Sequence, residues 1–144
     1  MEEKYNISEV KKLFNNSPFY KFLGMKITNL KSGYAELTLP FKKQLKHAFK
    51  DVHGGVTASI ADAAVGAALL TLLKRDEKPL TVELKIAYCA PAMKSELIAT
   101  AEILPPTNKS PTRTGRFTVR RTDGEKIAFG IGIFFPKKQK TENR

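Results

Sequence analysis

The spacing of apolar residues near the start of the chain predicts a short amphipathic helix. The residues that share one face of this helix are Ile7, Val10, Leu13 and Phe14. Asn6 precedes them and Glu9 follows it three positions later, which is the pattern of a capping box. The run Asn-Asn-Ser-Pro at 15–18 predicts the end of the helix.

Alternation of apolar and polar residues predicts six strands farther along the chain. They are Met25–Leu30, Tyr34–Leu39, Thr81–Ala90, Leu97–Leu104, Arg116–Arg121 and Lys126–Phe134. Asp123 and Gly124, between the last two strands, are typical of a tight hairpin turn. Residues 40–52 are mostly polar and are predicted to form a loop. We expect loose ends at 1–5 and 137–144.

The most apolar stretch, 56–73, predicts a long helix from about His53 to Leu73. Its length approaches that of a membrane span, but its one charge, Asp62, lies near the middle, where lipid disfavours it. We therefore expect a buried helix and no membrane segment. Because this helix is apolar almost all round, it must be covered on nearly every side. The order α-ββ-α-ββββ predicts an α+β fold with a curled, largely antiparallel sheet around the helix, and the helix's remaining apolar stripe favours a dimer.

Composition limits the possibilities further. The chain has 144 residues, which corresponds to one domain (1–144), with an ordered core at about 6–136 and a basic tail at 137–144. Cys89 is the only cysteine and there are two histidines, so we expect neither a disulfide nor a metal site and favour a cytoplasmic protein without a signal peptide. The net charge of +11 favours anionic partners, whether nucleic acid, anionic lipid or a phosphate-rich small molecule.

Two glycines, Gly54 and Gly55, stand where the loop enters the long helix. Backbone N–H groups at a helix start lie at the positive end of the helix dipole and can hold a phosphate or the oxygen of a polarised carbonyl. The alternative is a tight turn that needs glycine for its conformation alone.

Asp62 is the second candidate, because apolar residues surround it and no basic residue lies within one turn. Such a carboxylate is either satisfied structurally or acts as a base or nucleophile. Eight residues of helix separate Gly54 from Asp62 by about 12 Å. One helix cannot bring both groups to a single carbonyl, whereas two helices side by side in a dimer can.

These residues resemble the hotdog-fold acyl-CoA thioesterases of the phenylacetic-acid-degradation (PaaI) type. The resemblance rests on His53-Gly54-Gly55 with Asp62 nine positions after the histidine, on a strand that ends in Tyr88-x-x-Pro91-Ala92, and on the lead-in Phe19–Gly24. It covers roughly 18–135. It implies a hotdog fold and hydrolysis of an acyl-CoA thioester.

The resemblance also implies roles for individual residues. The amide of Gly54 polarises the thioester carbonyl, and Asp62 of the neighbouring subunit activates water or attacks directly. His53 orients the site, Gly55 contributes to substrate binding and Thr81 helps to place the water. Many relatives carry Asn six residues before the histidine, where this chain has His47. His47 either adds a pH dependence or is an ordinary loop residue.

The phosphates of CoA suit a basic protein, and Lys109, Arg113 and Arg116 are candidates to bind them. The alternative for these three residues is an ordinary solvated basic loop. The expected reaction needs no cofactor besides the CoA of the substrate, and we expect a homodimer or homotetramer.

Other functions compete with this interpretation. A non-catalytic acyl-CoA or acyl-carrier binding protein of the same fold is the main alternative. Nucleic-acid binding is disfavoured because no aromatic-plus-basic motif is present. A hotdog dehydratase would need a His-containing pattern that is not evident. Cys89 is disfavoured as a nucleophile because it lies on a predicted strand with few histidines to activate it.

Overall fold

The computed structural model describes residues 3–107 and 109–140. Within these residues the chain forms three α-helices, a short 3-10 turn at Lys43–Leu45 and six strands. The helices are α1 (Ile7–Asn15), α2 (Pro18–Leu23) and α3 (Gly54–Leu70). The strands are β1 (Lys26–Lys31), β2 (Tyr34–Leu39), β3 (Glu77–Tyr88), β4 (Leu97–Ile103), β5 (Arg113–Arg121) and β6 (Lys126–Lys138).

The strands described form one antiparallel sheet in the order β1-β2-β4-β5-β6-β3. Hairpins join β1 to β2 and β5 to β6, and β3 lies at one edge, paired with β6. Helix α3 packs against β2, β3, β4, β5 and β6, so the sheet covers it along its length. The predicted α+β architecture, a curled antiparallel sheet around one long helix, is confirmed.

The side chains of α3 make up much of the core. Ile60, Ala64 and Val65 are among those with no exposed surface. Glycines in the sheet allow the strands to approach this helix closely: a Cβ on Gly115 would lie 2.6 Å from a methyl carbon of Val65. Among residues 3–107 and 109–140, none of the helices combines the length and the apolar character that crossing a bilayer requires.

Helix α3 ends at Leu70, three residues before the predicted end. The hydroxyl of Thr71 donates to the carbonyl of Ala68 (2.7 Å) and accepts the N–H of Gly33 (2.7 Å) in the β1–β2 turn. Thr71 thus joins the end of α3 to the sheet. The carboxyl end of α3 and the β1–β2 turn are therefore at the same end of the molecule.

Helix α1 begins as predicted, with the full capping box between Asn6 and Glu9. Helix α2 was not predicted, because six residues are too few to show a helical period. Its own signals are Ser17 as the cap, Pro18 in the first turn and Gly24 in the left-handed conformation (φ 83°) at its end.

Both ends of the chain are more ordered than predicted. Strand β6 runs to Lys138, which pairs with Glu77 at the start of β3, and the N–H of Gln139 bonds to the carbonyl of Asp76. At the other end, the carbonyl of Glu3 accepts the N–H of Arg75. Pairing of the two long strands extends the order beyond 136. The predicted loose ends at 1–2 and 141–144 lie outside the described residues.

Candidate active site

The first turn of α3 is held by its own cap. His53 has an extended backbone, and its Nδ1 accepts the N–H of Gly55 at 2.8 Å. A neutral imidazole that accepts at Nδ1 carries its proton on Nε2. A Cβ on Gly55 would lie 2.9 Å from this Nδ1, so glycine at this position lets the imidazole reach the amide. In the part of the chain that the structure describes, the N–H of Gly54 has no acceptor.

Tyr88, at the end of β3, fixes the position of Gly54. Its hydroxyl donates to the carbonyl of Gly54 at 2.7 Å. Its ring carbons lie 3.4–3.5 Å from the place that a Cβ on Gly54 would take. The tyrosine therefore holds the peptide group that follows the Gly54 amide, and the first turn of α3 is tied to β3. Desolvation raises the pKa of Tyr88, so its hydroxyl keeps the proton that it donates.

His47 lies close to this turn. Its ring centroid is 6.5 Å from that of His53, and its Nδ1 accepts the N–H of Phe49 at 3.0 Å. The loop is folded back by a bond from the N–H of His53 to the carbonyl of Leu45 (2.8 Å). His47 and Gly54 both line a cavity of about 310 Å³ together with Tyr88. The structure thus places His47 beside the candidate amide of its own chain.

Asp62 is half-buried on the middle of α3 and accepts a hydrogen bond from the hydroxyl of Thr81 at 2.8 Å. Desolvation raises the pKa of Asp62, and the Thr81 hydrogen bond opposes this by favouring the ionised form. Burial raises the pKa of Tyr20, and the negative charge of Asp62 adds to that effect. No ion pair to Asp62 occurs within 3–107 and 109–140, so no cation offsets the cost of burying this carboxylate.

A second cavity, of about 400 Å³, opens beside Asp62. Asp62 and Thr81 contribute its polar surface near α3, and the wall is largely apolar. The residues that line this wall include Leu13, Phe14, Ala63, Gly66, Leu70 and Phe134. The Asp62 side chain therefore faces a space that a substrate and water can enter.

Gly54 and Asp62 line different cavities, as their separation along α3 requires. Eight residues at 1.5 Å rise place them about 12 Å apart. A single chain brings His47, His53, Gly54 and Tyr88 together at the start of the helix. It brings Asp62 and Thr81 together at the middle. Neither of these two cavities joins the two groups.

The basic candidates are not part of either group. The loop that contains Lys109 joins β4 to β5, and β4 ends where the N–H of Ile103 bonds to the carbonyl of Gly33, near the carboxyl end of α3. Arg113 donates to the backbone carbonyls of Ser110 and Thr112. Lys109 and Arg113 thus lie near the carboxyl end of α3, whereas Gly54 of the same chain lies at its amino end.

Arg116 lies in a third environment. It alternates along β5 with Gly115 and Phe117, which face the helix, so its side chain is on the outer face of the sheet. There it forms an ion pair with Glu102 (2.6 Å), and both side chains are exposed. An ion pair of this kind is weak and leaves the arginine accessible.

Tyr88 lies within the Tyr-x-x-Pro-Ala pattern, but the sequence indicates no role for its side chain. The contact with Gly54 spans 34 residues of sequence, so nothing local to either residue indicates it. Cys89 is exposed, and its thiol hydrogen-bonds to the carbonyl of Lys126 (3.3 Å). Its hydrogen bond is thus to backbone and involves neither histidine.

Comparisons with known proteins agree with this fold. A family model described as "Domain of unknown function (DUF4442)" matches residues 8–131. A thioesterase family protein from Silicibacter pomeroyi has a solved structure similar to this one, with a TM-score of 0.84, 25% identity, and coverage of 93% of this chain and 100% of that chain. The PaaI protein of the E. coli phenylacetic acid degradation operon shares the fold at a TM-score of 0.76 and 20% identity, over 88% of each chain. A protein of Saccharolobus solfataricus named "Putative esterase SSO2140" is 26% identical over 137 residues, 94% of this chain and 96% of its own length.

Proposed function

We propose that this chain, which belongs to the DUF4442 family, hydrolyses the thioester bond of acyl-CoA. The proposal proceeds from its hotdog fold, which is that of the thioesterase superfamily. A hydrolase of the thioesterase type is supported by the similarity to the S. pomeroyi protein and to the S. solfataricus esterase relative. The acyl-CoA substrate is our proposal. The products are a free carboxylic acid and CoA.

The observation that carries the proposal is the setting of Asp62. It is half-buried, and one of its oxygens accepts a hydrogen bond from the hydroxyl of Thr81. It also lines an open cavity with a largely apolar wall. A carboxylate that is desolvated but still accessible to water is a suitable base. Its raised pKa lies closer to the pKa of the water molecule that it must deprotonate.

We assign the chemical steps as follows. The Asp62 carboxylate removes a proton from water, and the water oxygen bonds to the thioester carbonyl carbon. The Gly54 N–H, at the positive end of α3, stabilises the oxyanion that forms. When the carbonyl is restored, the C–S bond breaks and the CoA sulfur leaves as a thiolate, which takes up the proton that Asp62 removed from water and so returns Asp62 to its ionised form. Thr81 holds Asp62 in place, and His53 with Gly55 keeps the first turn in shape. These steps use no metal and no cofactor other than the CoA of the substrate.

We propose that the active site forms between two protomers, with Gly54 from one and Asp62 from the other. The separation of about 12 Å within one chain supports this arrangement. Strand β3 lies at the edge of the described sheet and exposes Leu80 (45%) and Val82 (59%), and such an edge is suited to pair with a second copy. The assembly is a homodimer or a homotetramer of such dimers.

Substrate binding follows from the same arrangement. His47, beside Gly54, is proposed to contact the thioester or the adjoining part of CoA. Lys109, Arg113 and Arg116 are proposed to attract the phosphates, with the contacts made across the assembly because these residues lie away from Gly54 in their own chain. A free, exposed Cys89 suits a reducing compartment, and we propose a cytoplasmic location.

The test is a hydrolysis screen with short, medium, long and aromatic acyl-CoAs, with release of the CoA thiol as the signal. Matching p-nitrophenyl esters separate a thioesterase from an oxygen esterase. We expect turnover of acyl-CoAs by the wild type and loss of turnover in Asp62→Asn. Tight binding of acyl-CoA without turnover by the wild type would contradict the proposal and favour a non-catalytic binding protein.

A further inference from the structure

The cavity beside Asp62 is larger than water activation requires. Its volume is about 400 Å³, and it follows α3 from Asp62 past Gly66 to Leu70. These three residues are four positions apart, so they form one stripe along the helix. Helix α1 faces this stripe with Leu13 and Phe14, and Phe134 of β6 closes one side. The result is a groove with a carboxylate at one end and largely apolar walls, to which Tyr5, Lys78 and Gln139 add polar groups.

On the basis of the proposed function, we infer that this groove binds the acyl group, that Gly66 and Leu13 determine the chain length accepted, and that the preferred substrates carry medium-length acyl chains. Eight residues of helix, from Asp62 to Leu70, span about 12 Å, which is the length of roughly nine or ten extended methylene groups. The chain that supplies the base would then also bind the acyl tail, while the partner supplies the amide.

Gly66 is the position where a larger side chain could narrow the groove. A Cβ at this position would meet only the ring of Phe134, at 3.6 Å, which is an ordinary contact. Glycine is unfavourable in the interior of a helix, so helix formation gives no reason for a glycine at position 66. A larger side chain at 66 is therefore compatible with the fold and would project across the groove at its middle.

Leu13 allows the opposite change. It is 54% exposed although it lines the groove, so its truncation removes wall without opening a hole in the core. Ile7, on the same helix and 40% exposed, does not line the groove and provides a matched control. A methylene group buried from water contributes a factor of about four to an equilibrium constant. The affinity for ligands with acyl tails of different length should therefore show whether the groove buries the tail.

The experiment measures binding of two non-hydrolysable thioethers, S-decyl-CoA and S-ethyl-CoA, by titration calorimetry with the assembled full-length protein. We expect the wild type to bind S-decyl-CoA at least tenfold more tightly than S-ethyl-CoA. Gly66→Val should remove most of this difference and leave the affinity for S-ethyl-CoA within about twofold. The same variant should reduce kcat/KM for decanoyl-CoA about tenfold more than for acetyl-CoA.

Leu13→Ala should shift the preference towards hexadecanoyl-CoA, whereas Ile7→Ala should behave as the wild type. An unchanged preference for the decyl tail in Gly66→Val, with circular dichroism and assembly as in the wild type, would overturn the inference. So would Leu13→Ala that cannot be distinguished from Ile7→Ala. Because binding is measured without turnover, absence of hydrolysis would reject the proposed function and still leave the groove tested.

Discussion

The start and the middle of α3 differ in the polar groups that they present. At the start, His53 caps the helix, Tyr88 holds the Gly54 carbonyl, and the polar groups that matter belong to the backbone. At the middle, the only ionisable side chain of the helix is half-buried beside an apolar groove. The first region can stabilise negative charge and the second can remove a proton. The proposed site therefore combines the two regions, one from each of two protomers.

The largest effect is expected at the middle. Asp62→Asn keeps the shape of the side chain and an oxygen that can accept from Thr81, but it removes the base. We predict that kcat falls about 10³-fold, with little change in the affinity for S-decyl-CoA. Thiol-release kinetics and calorimetry measure the two quantities. Retention of more than a tenth of the wild-type rate would show that Asp62 is not the base.

The next largest effect is expected at the start of the helix. Gly54→Pro removes the N–H, and proline is well tolerated at a first helical position after an extended residue such as His53 (ψ 137°). We predict a loss in kcat of about 10²-fold, typical of one oxyanion donor. Gly54→Ala retains the N–H and meets the same Tyr88 contact, so it serves as the control. Equal losses in both variants would assign the effect to crowding against Tyr88.

Tyr88 should have a smaller effect of the same kind. Tyr88→Phe keeps the ring and removes the hydrogen bond to the Gly54 carbonyl. A neutral bond contributes about 1 kcal/mol, so we predict roughly a fivefold loss in kcat with KM nearly unchanged. Tyr34→Phe, on the outer face of the sheet, is the matched control. A loss that appears only in KM would mean that Tyr88 contacts the substrate and does not position the amide.

The smallest effect concerns pH. Burial already raises the pKa of Asp62, and the Thr81 hydrogen bond opposes that rise. Thr81→Val removes the bond, so the pKa should rise further, and the acid limb of the kcat profile should move to higher pH because only ionised Asp62 removes a proton. Thr81→Ser should keep the wild-type profile. A limb that moves to lower pH in Thr81→Val would contradict the assignment of this limb to Asp62.

The sequence was sufficient to predict the features that depend on local pattern. The capping box of α1, the long apolar α3 and the alternation in the strands each depend on neighbouring residues, and the structure confirms them. Contacts between distant segments could not be predicted in this way. Pairing with β6 extends β3 back to Glu77, and the bond from Tyr88 to Gly54 joins two elements far apart in sequence.

The candidate site shows the same limit. Spacing along α3 predicts that Gly54 and Asp62 are too far apart to act together in one chain, and the separate cavities agree with that prediction. The apolar groove could not be predicted, because α1, α3 and β6 each contribute to its wall. Proximity in sequence groups the three basic candidates together, but alternation along β5 directs the side chain of Arg116 to the outer face.

The most direct measurement mixes two inactive chains. Asp62→Asn and Gly54→Pro chains, each with a different affinity tag, are co-expressed, and the mixed dimer is purified through both tags. If Gly54 of one protomer works with Asp62 of the other, one of the two sites is intact, and the mixed dimer should show about half of the wild-type activity. If both groups act within one chain, each site carries a defect. Activity no higher than that of the parent variants would contradict the shared site.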